Sequence, residues 1–282
     1  MKLTIVSAGN FKLDGGAMFG VVPKVMWNKM NPADENNMCT WTMRSLLIET
    51  ETRKILVDTG IGNKQGEKFR SHFHPSGNDI IESLDEIGIK DSDITDVFLT
   101  HLHFDHCGDA VKTDENGKYV PTFPNATYWL NKRHWDWALE SNPREKASFL
   151  PENFMPLMEA GALKLIEPSS ERSTPWIEGI NLIECNGHTK GLMMLDIPYK
   201  ESRMIFLTDL IPSLHHIPLP YIMAYDLWPW DTLEEKTETL ELAVKENHVL
   251  FFQHDPVNAV ARLVKNEKGR IVPVDISSDL YK

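Results

Sequence analysis

Val97-Phe98-Leu99-Thr100-His101-Leu102-His103-Phe104-Asp105-His106 is the stretch on which the reading of this chain turns. A short apolar run stops abruptly in three histidines and an aspartate. The run is too short for a helix and reads as a strand buried on both faces. Alternation in an extended loop points His101 and His103 to the same side, where both can reach one metal ion. Asp105 and His106 follow at once and, after a turn, face the other way. One compact loop thus carries ligands for two ions, and Gly108 permits a tight backbone turn out of it.

The same rhythm recurs along the chain. Lys54-Ile55-Leu56-Val57 ends in Asp58, and Met204-Ile205-Phe206-Leu207-Thr208 ends in Asp209. Asn181-Leu182-Ile183-Glu184-Cys185 leads through Asn186 and Gly187 to His188, and Val249-Leu250-Phe251-Phe252-Gln253 ends in His254. Loops at the carboxyl ends of strands form the ligand crevice of open α/β sheets. Strands of shared polarity would gather these terminal residues in one place.

Between the strands, Asp231 is expected to cap a helix running to about Asn247, with Glu234 completing a capping box and Leu233, Leu240 and Val244 as its apolar stripe. Asn78 to Ile87 reads as a second helix closed by Gly88. Segment 131–162, rich in tryptophan and broken by Pro143, Pro151 and Pro156, reads as an excursion of short helices. Residues 14–44 form a long irregular segment in which Met18, Phe19, Val22 and Trp27 look exposed, able to line a pocket or meet a second subunit in a homodimer. Met1 to Val6 reads as a first strand, and the whole, 1–282, as a single domain.

Bulk composition narrows the partners. Asp and Glu total 41 against 29 Lys and Arg, a net charge of −12. A nucleic acid would meet repulsion over most of such a surface, so a small neutral substrate is expected. Three scattered cysteines, Cys39, Cys107 and Cys185, do not make a disulfide framework. No apolar stretch approaches the roughly 20 residues of a membrane span, and no signal peptide is evident, so the expected location is cytoplasmic and away from membranes. His72 and His74 repeat the His-x-His spacing without an Asp-His sequel and read as a surface loop. His134, His215 and His248 carry no motif and read as structural.

Taken in order, His101-x-His103-x-Asp105-His106, Gly187-His188-Thr189-x-Gly191, Asp209 and His254, with Asp58 in Leu56-Val57-Asp58-Thr59-Gly60, resemble the metallo-β-lactamase superfamily. The resemblance implies an α/β fold, an αββα sandwich of two sheets flanked by helices. It implies that His101, His103 and His188 bind one metal ion and that Asp105, His106 and His254 bind a second. Asp209 would bridge the two, and Asp58 would orient the histidine loop. Zinc is the default occupant, although iron, manganese and cobalt suit the same donors. A carboxylate at 209 favours the lactone, ester and phosphoester hydrolases of the superfamily over its lactamases. A histidine rather than a glutamate at 103 disfavours the oxygen-reducing flavoproteins.

Asp14-Gly15-Gly16-Ala17-Met18-Phe19-Gly20-Val21-Val22-Pro23-Lys24, together with Asp209 to His216 and Ala224-Tyr225-Asp226, is similar to the YtnP-type branch, regarded as quorum-quenching N-acyl-homoserine lactonases. That implies attack on the lactone carbonyl by a water held between the ions, with Asp105 protonating the leaving alkoxide. Better-known lactonases place a tyrosine three residues after the bridging aspartate, where this chain has Pro212. His216 and Tyr225 are the candidates to polarise the carbonyl instead. Met18, Phe19, Val22, Trp27, Trp135 and Trp137 are candidates for an acyl groove. A phosphotriesterase, an arylesterase, a β-lactamase, or a metal-binding module without turnover remain rivals on the same donor set.

Overall fold

The computed structural model describes residues 1–281, which divide into two compact units. The first consists of Met1–Phe11 and Thr42–Pro168. The second consists of Lys12–Trp41 and the chain from Ser169 onward.

The first unit is built on a six-stranded sheet in the order Lys2–Asp14, Met38–Glu49, Lys54–Val57, Asp96–Phe98, Thr127–Asn131, Leu163–Ile166. Its last four strands run parallel to one another. Parallel strands are buried on both faces, and Ile55, Leu56 and Val57 accordingly show 0% exposure in succession. Because Lys54–Val57 and Asp96–Phe98 are parallel neighbours, Asp58 and the histidine loop leave the same end of the sheet.

The helix expected near 78–87 spans Ile80–Glu86, where Asp79 and Glu82 exchange backbone hydrogen bonds as a capping box. The excursion is helical as expected, with Lys132–Leu139 and Met155–Glu159 joined by two short 3₁₀ turns. The first strand extends well beyond Val6, to Asp14.

The second unit carries a seven-stranded sheet in the order Ile271–Ser277, Val260–Lys265, Val249–Phe251, Ser202–Phe206, Leu192–Tyr199, Asn181–Cys185, Ser173–Pro175. Ser202–Phe206 and Val249–Phe251 are parallel. Asn181–Cys185 reaches Ser202–Phe206 through two antiparallel pairings, so it shares their direction. His188, Asp209 and His254 therefore follow strands that finish at the same end of this sheet. Helix Pro229–Lys245 packs Leu240 and Ala243 against Ile205, Leu250 and Leu263 of the sheet. Burying a leucine such as Leu240 contributes about 1.5–3 kcal/mol.

Two expectations change here. The helix begins at Pro229, two residues before Asp231, with no side-chain cap. Proline in the first turn has its φ preset and no N–H to leave unpaired, and this outweighs the Asp231 signal. Segment 14–44 is also less irregular than expected. It holds two single-turn helices, Gly15–Phe19 and Lys24–Trp27, and from Met38 it is already strand.

Candidate metal centre

In the first unit, Asp58 is the hub of the histidine loop. Its Oδ1 accepts the Thr100 backbone N–H at 2.8 Å, and its Oδ2 accepts the Thr100 hydroxyl at 2.8 Å and His106 Nδ1 at 2.9 Å. Asp58 holds this place from a left-handed backbone, φ +57°, a strained conformation of the kind that persists where surrounding structure enforces it. The Thr100 hydroxyl, spent as a donor on Asp58, accepts from His101 Nδ1 at 3.1 Å. Protons on the Nδ1 atoms of His101 and His106 leave each Nε2 as the lone-pair nitrogen.

His103 is turned the other way. Its Nε2 meets Glu145 Oε1 at 2.9 Å, while Glu145 Oε2 accepts Trp137 Nε1 at 2.7 Å. The ring centroids of His101 lie 4.6 Å from those of His103 and 3.9 Å from those of His106. Asp105 Oδ2 stands 3.5 Å from His106 Nε2. All four side chains are buried.

Gly108 follows this loop for a reason other than the expected turn. Its φ is −55°, open to any residue. A Cβ there would instead stand 2.2 Å from the Ile61 carbonyl oxygen, so close packing is what requires glycine. The backbone oxygen of Gly108 also accepts from Lys64 Nζ. Burial lowers the pKa of that ammonium to about 8.

In the second unit, Asp209 lies between two imidazoles. Its Oδ2 is 3.2 Å from His188 Nε2 and its Oδ1 is 3.0 Å from His254 Nε2. Thr208 enters this turn at φ +43°, a second left-handed non-glycine beside a candidate ligand. His188 Nδ1 is held by Asp226 Oδ1 at 2.7 Å, and burial raises the Asp226 pKa against the lowering effect of that bond.

The donor set itself tests whether metal fits. His188 faces a carboxylate from each ring nitrogen. A neutral imidazole can donate to only one of them, so a lone pair would confront Asp209 unless a cation stood between. Outer carboxylates holding metal-ligating histidines by their other nitrogen are the usual companions of such sites. Asp58, Glu145 and Asp226 all stand in that relation to a histidine. Among the described residues, two groups of buried histidines and aspartates could each hold a metal ion.

The two candidates for carbonyl polarisation fare differently. His216 is 1% exposed, its Nδ1 is bonded to Ser213 Oγ at 2.7 Å, and its Nε2 is bonded to the Met18 carbonyl at 2.9 Å. It also stacks on Phe19 at 4.7 Å, and burial lowers its pKa to about 3. Both nitrogens are committed, so the ring serves packing and has no donor for a substrate. Tyr225 is 38% exposed and immediately precedes Asp226.

The expected acyl groove is revised in the same way. Met18, Phe19, Val22 and Trp27 lie in the core, whereas Val21, Val25 and Met26 are exposed. Trp135 is buried as well. Cys107 and Cys185 are buried, and burial raises their thiol pKa values, which suits inert packing residues. His134 is structural as expected, accepting the Leu102 N–H at Nε2, 2.8 Å. Glu145 carried no motif, and only the fold brings it to His103.

A histidine loop held by a buried carboxylate, on an α/β fold whose strand ends carry histidine and aspartate, is a donor set suited to a metal-dependent hydrolase. The chain belongs to the metallo-beta-lactamase superfamily, whose family model matches residues 44–254, and it has that fold. Among its relatives, the N-acyl homoserine lactonase AiiA of Bacillus thuringiensis subsp. kurstaki is 25% identical over 269 residues, covering 90% of this chain and 93% of its own. A crystal structure of a probable metal-dependent hydrolase from Staphylococcus aureus matches with TM-score 0.86 at 27% identity, covering 100% of this chain and 96% of its own. AidC, a dizinc quorum-quenching lactonase in complex with a product, matches in fold with TM-score 0.76 at 22% identity, covering 96% of this chain and 93% of its own.

Proposed function

We propose that this hydrolase opens the ring of N-acyl-homoserine lactones in the cytoplasm, as a quorum-quenching enzyme with two zinc ions. His101, His103 and His188 would hold one ion, Asp105, His106 and His254 would hold the other, and Asp209 would serve both. The observation that carries this reading is the placement of Asp209, with one oxygen toward His188 and the other toward His254. A carboxylate presented in that way suits a bridge between two cations.

Two bound divalent ions would supply Lewis acidity and lower the pKa of water from 15.7 to about 7. The chain's own residues do the rest. Asp58, Glu145 and Asp226 keep the imidazoles oriented. Asp105, 8% exposed, takes the proton of the water whose oxygen bonds to the lactone carbonyl carbon and passes it to the alkoxide oxygen released when the ring C–O bond breaks. Tyr225, where its hydroxyl can donate to the substrate carbonyl oxygen, takes the part that Pro212 cannot. A net charge of −12 suits a neutral lactone better than a polyanion.

The test is metal analysis and a substrate panel on one preparation: an acyl-homoserine lactone, an aryl phosphotriester, a nitrophenyl ester and nitrocefin. Two equivalents of zinc with the lactone turned over best is the expected result. Preference for the triester, the ester or the lactam by more than tenfold would reassign the substrate. A preparation that binds no divalent metal would remove the mechanism altogether.

A further inference from the structure

The run Asp226 to Glu235 contacts the loop that carries His188 at several successive residues. Asp226 takes His188 Nδ1. Leu227 N–H donates to the His188 carbonyl at 3.2 Å, and Trp228 N–H donates to the Gly187 carbonyl at 2.9 Å. Thr232 lies so close that a Cβ on Gly187 would fall 2.3 Å from its backbone nitrogen. Finally, Glu235 reaches out of helix Pro229–Lys245 with both oxygens. Oε1 accepts the Asn186 N–H at 2.7 Å and Oε2 accepts the Gly187 N–H at 3.1 Å.

The geometry points to Glu235 as a positioning residue that sets the metal affinity of His188, a role that rests on the metal-binding reading above. A carboxylate accepts on both oxygens, so it meets two adjacent backbone donors at once. A glutamine would meet one and turn its own N–H₂ against the other. The loop would then shift at Asn186 and Gly187, one residue before the imidazole. The neighbouring Lys236 completes the clamp from the same helix turn by donating to the carbonyls of Pro218 and Tyr221 at 2.8 and 2.9 Å. The segment leading to Asp226 is thereby tied to the same helix.

Zinc titration against a chromophoric chelator, on wild type, Glu235→Gln, Glu235→Asp and Leu240→Ala, tests the role. Loss of an outer partner of a ligand costs about 10–100-fold in metal affinity. Glu235→Gln is expected to weaken one of two zinc equivalents by about tenfold or more and leave the other unchanged. Glu235→Asp, which keeps the charge but is too short to reach both donors, is expected to fall between. Leu240→Ala loosens the same helix from its core and is the control. It should lower the melting temperature with both zinc affinities intact. Glu235→Gln and Glu235→Asp binding two equivalents as tightly as wild type would overturn the inference alone, as would equal zinc loss in Leu240→Ala. Wild type that takes up no zinc would overturn it together with the proposed function.

Discussion

Single side chains in this protein are arranged so that His101, His103, His106 and His188 each have one ring nitrogen committed to a neighbouring side chain. Asp58 shows the economy of the arrangement, since one carboxylate fixes Thr100, through it His101, and directly His106. Asp58→Asn removes an acceptor and places a donor against either Thr100 or His106. Zinc affinity is expected to fall by roughly 10–100-fold, measured by equilibrium dialysis, while far-ultraviolet circular dichroism stays unchanged. Asp209 is a more severe case because it faces two imidazoles. Asp209→Asn is expected to leave at most one of two zinc equivalents bound after dialysis, with turnover reduced by more than about 100-fold, beyond the cost of losing an outer partner. Retention of both equivalents would show that no carboxylate bridge exists. His216 is the opposite lesson. A histidine seven residues beyond a strand-end aspartate looks reactive in sequence, yet its two ring nitrogens are used up on Ser213 and Met18.

At the level of elements, strand direction does the gathering. Asp209 and His254 end parallel neighbours, and His188 follows a strand two pairings away in the same direction. Helix Pro229–Lys245 then fixes the His188 loop, and Gly187 marks where the two meet most closely. Gly187→Ala would force a methyl against backbone atoms that cannot step aside. Overpacking of this kind costs typically about 1–3 kcal/mol, and that loss should appear in urea unfolding. On the proposed two-zinc reading, one of the two zinc equivalents should bind more weakly alongside it. An unchanged urea midpoint would mean that the loop stands farther from Thr232 than the structure places it. The excursion 131–162 also proves to be part of the site's support, since it brings Glu145 to His103 and His134 to the backbone of Leu102.

Across the whole molecule, buried titratable groups tie stability to pH, and His216 gives the cleanest case. Its folded pKa is about 3, lowered by burial, against an ordinary value of 6.5. Between those values the unfolded chain binds a proton that the folded chain does not, so stability falls as pH drops from 6.5 toward 3, by up to about 1.4 kcal/mol per pH unit. Asp109, raised to about 7 by burial, acts in the opposite sense as pH rises from about 4 to 7. The difference between wild type and His216→Gln therefore isolates the histidine. The variant is expected to show a shallower loss of unfolding free energy between pH 6 and 4 in urea titrations, and parallel curves would refute the assignment. No helix among the described residues is long and apolar enough to cross a membrane. The strand ends tipped with histidine and aspartate were legible in the linear chain because a buried strand must be apolar and an imidazole or carboxylate is not. That contrast is written in consecutive residues, from Val97 to His106 and from Met204 to Asp209. Glu145 and Glu235, bonded to His103 and to the loop before His188, look like any other surface acid in sequence, and Asp226 stands out only as one residue of a longer run. Only tertiary structure decides their roles, because a hydrogen bond across tens of residues depends on where the fold brings its two ends together.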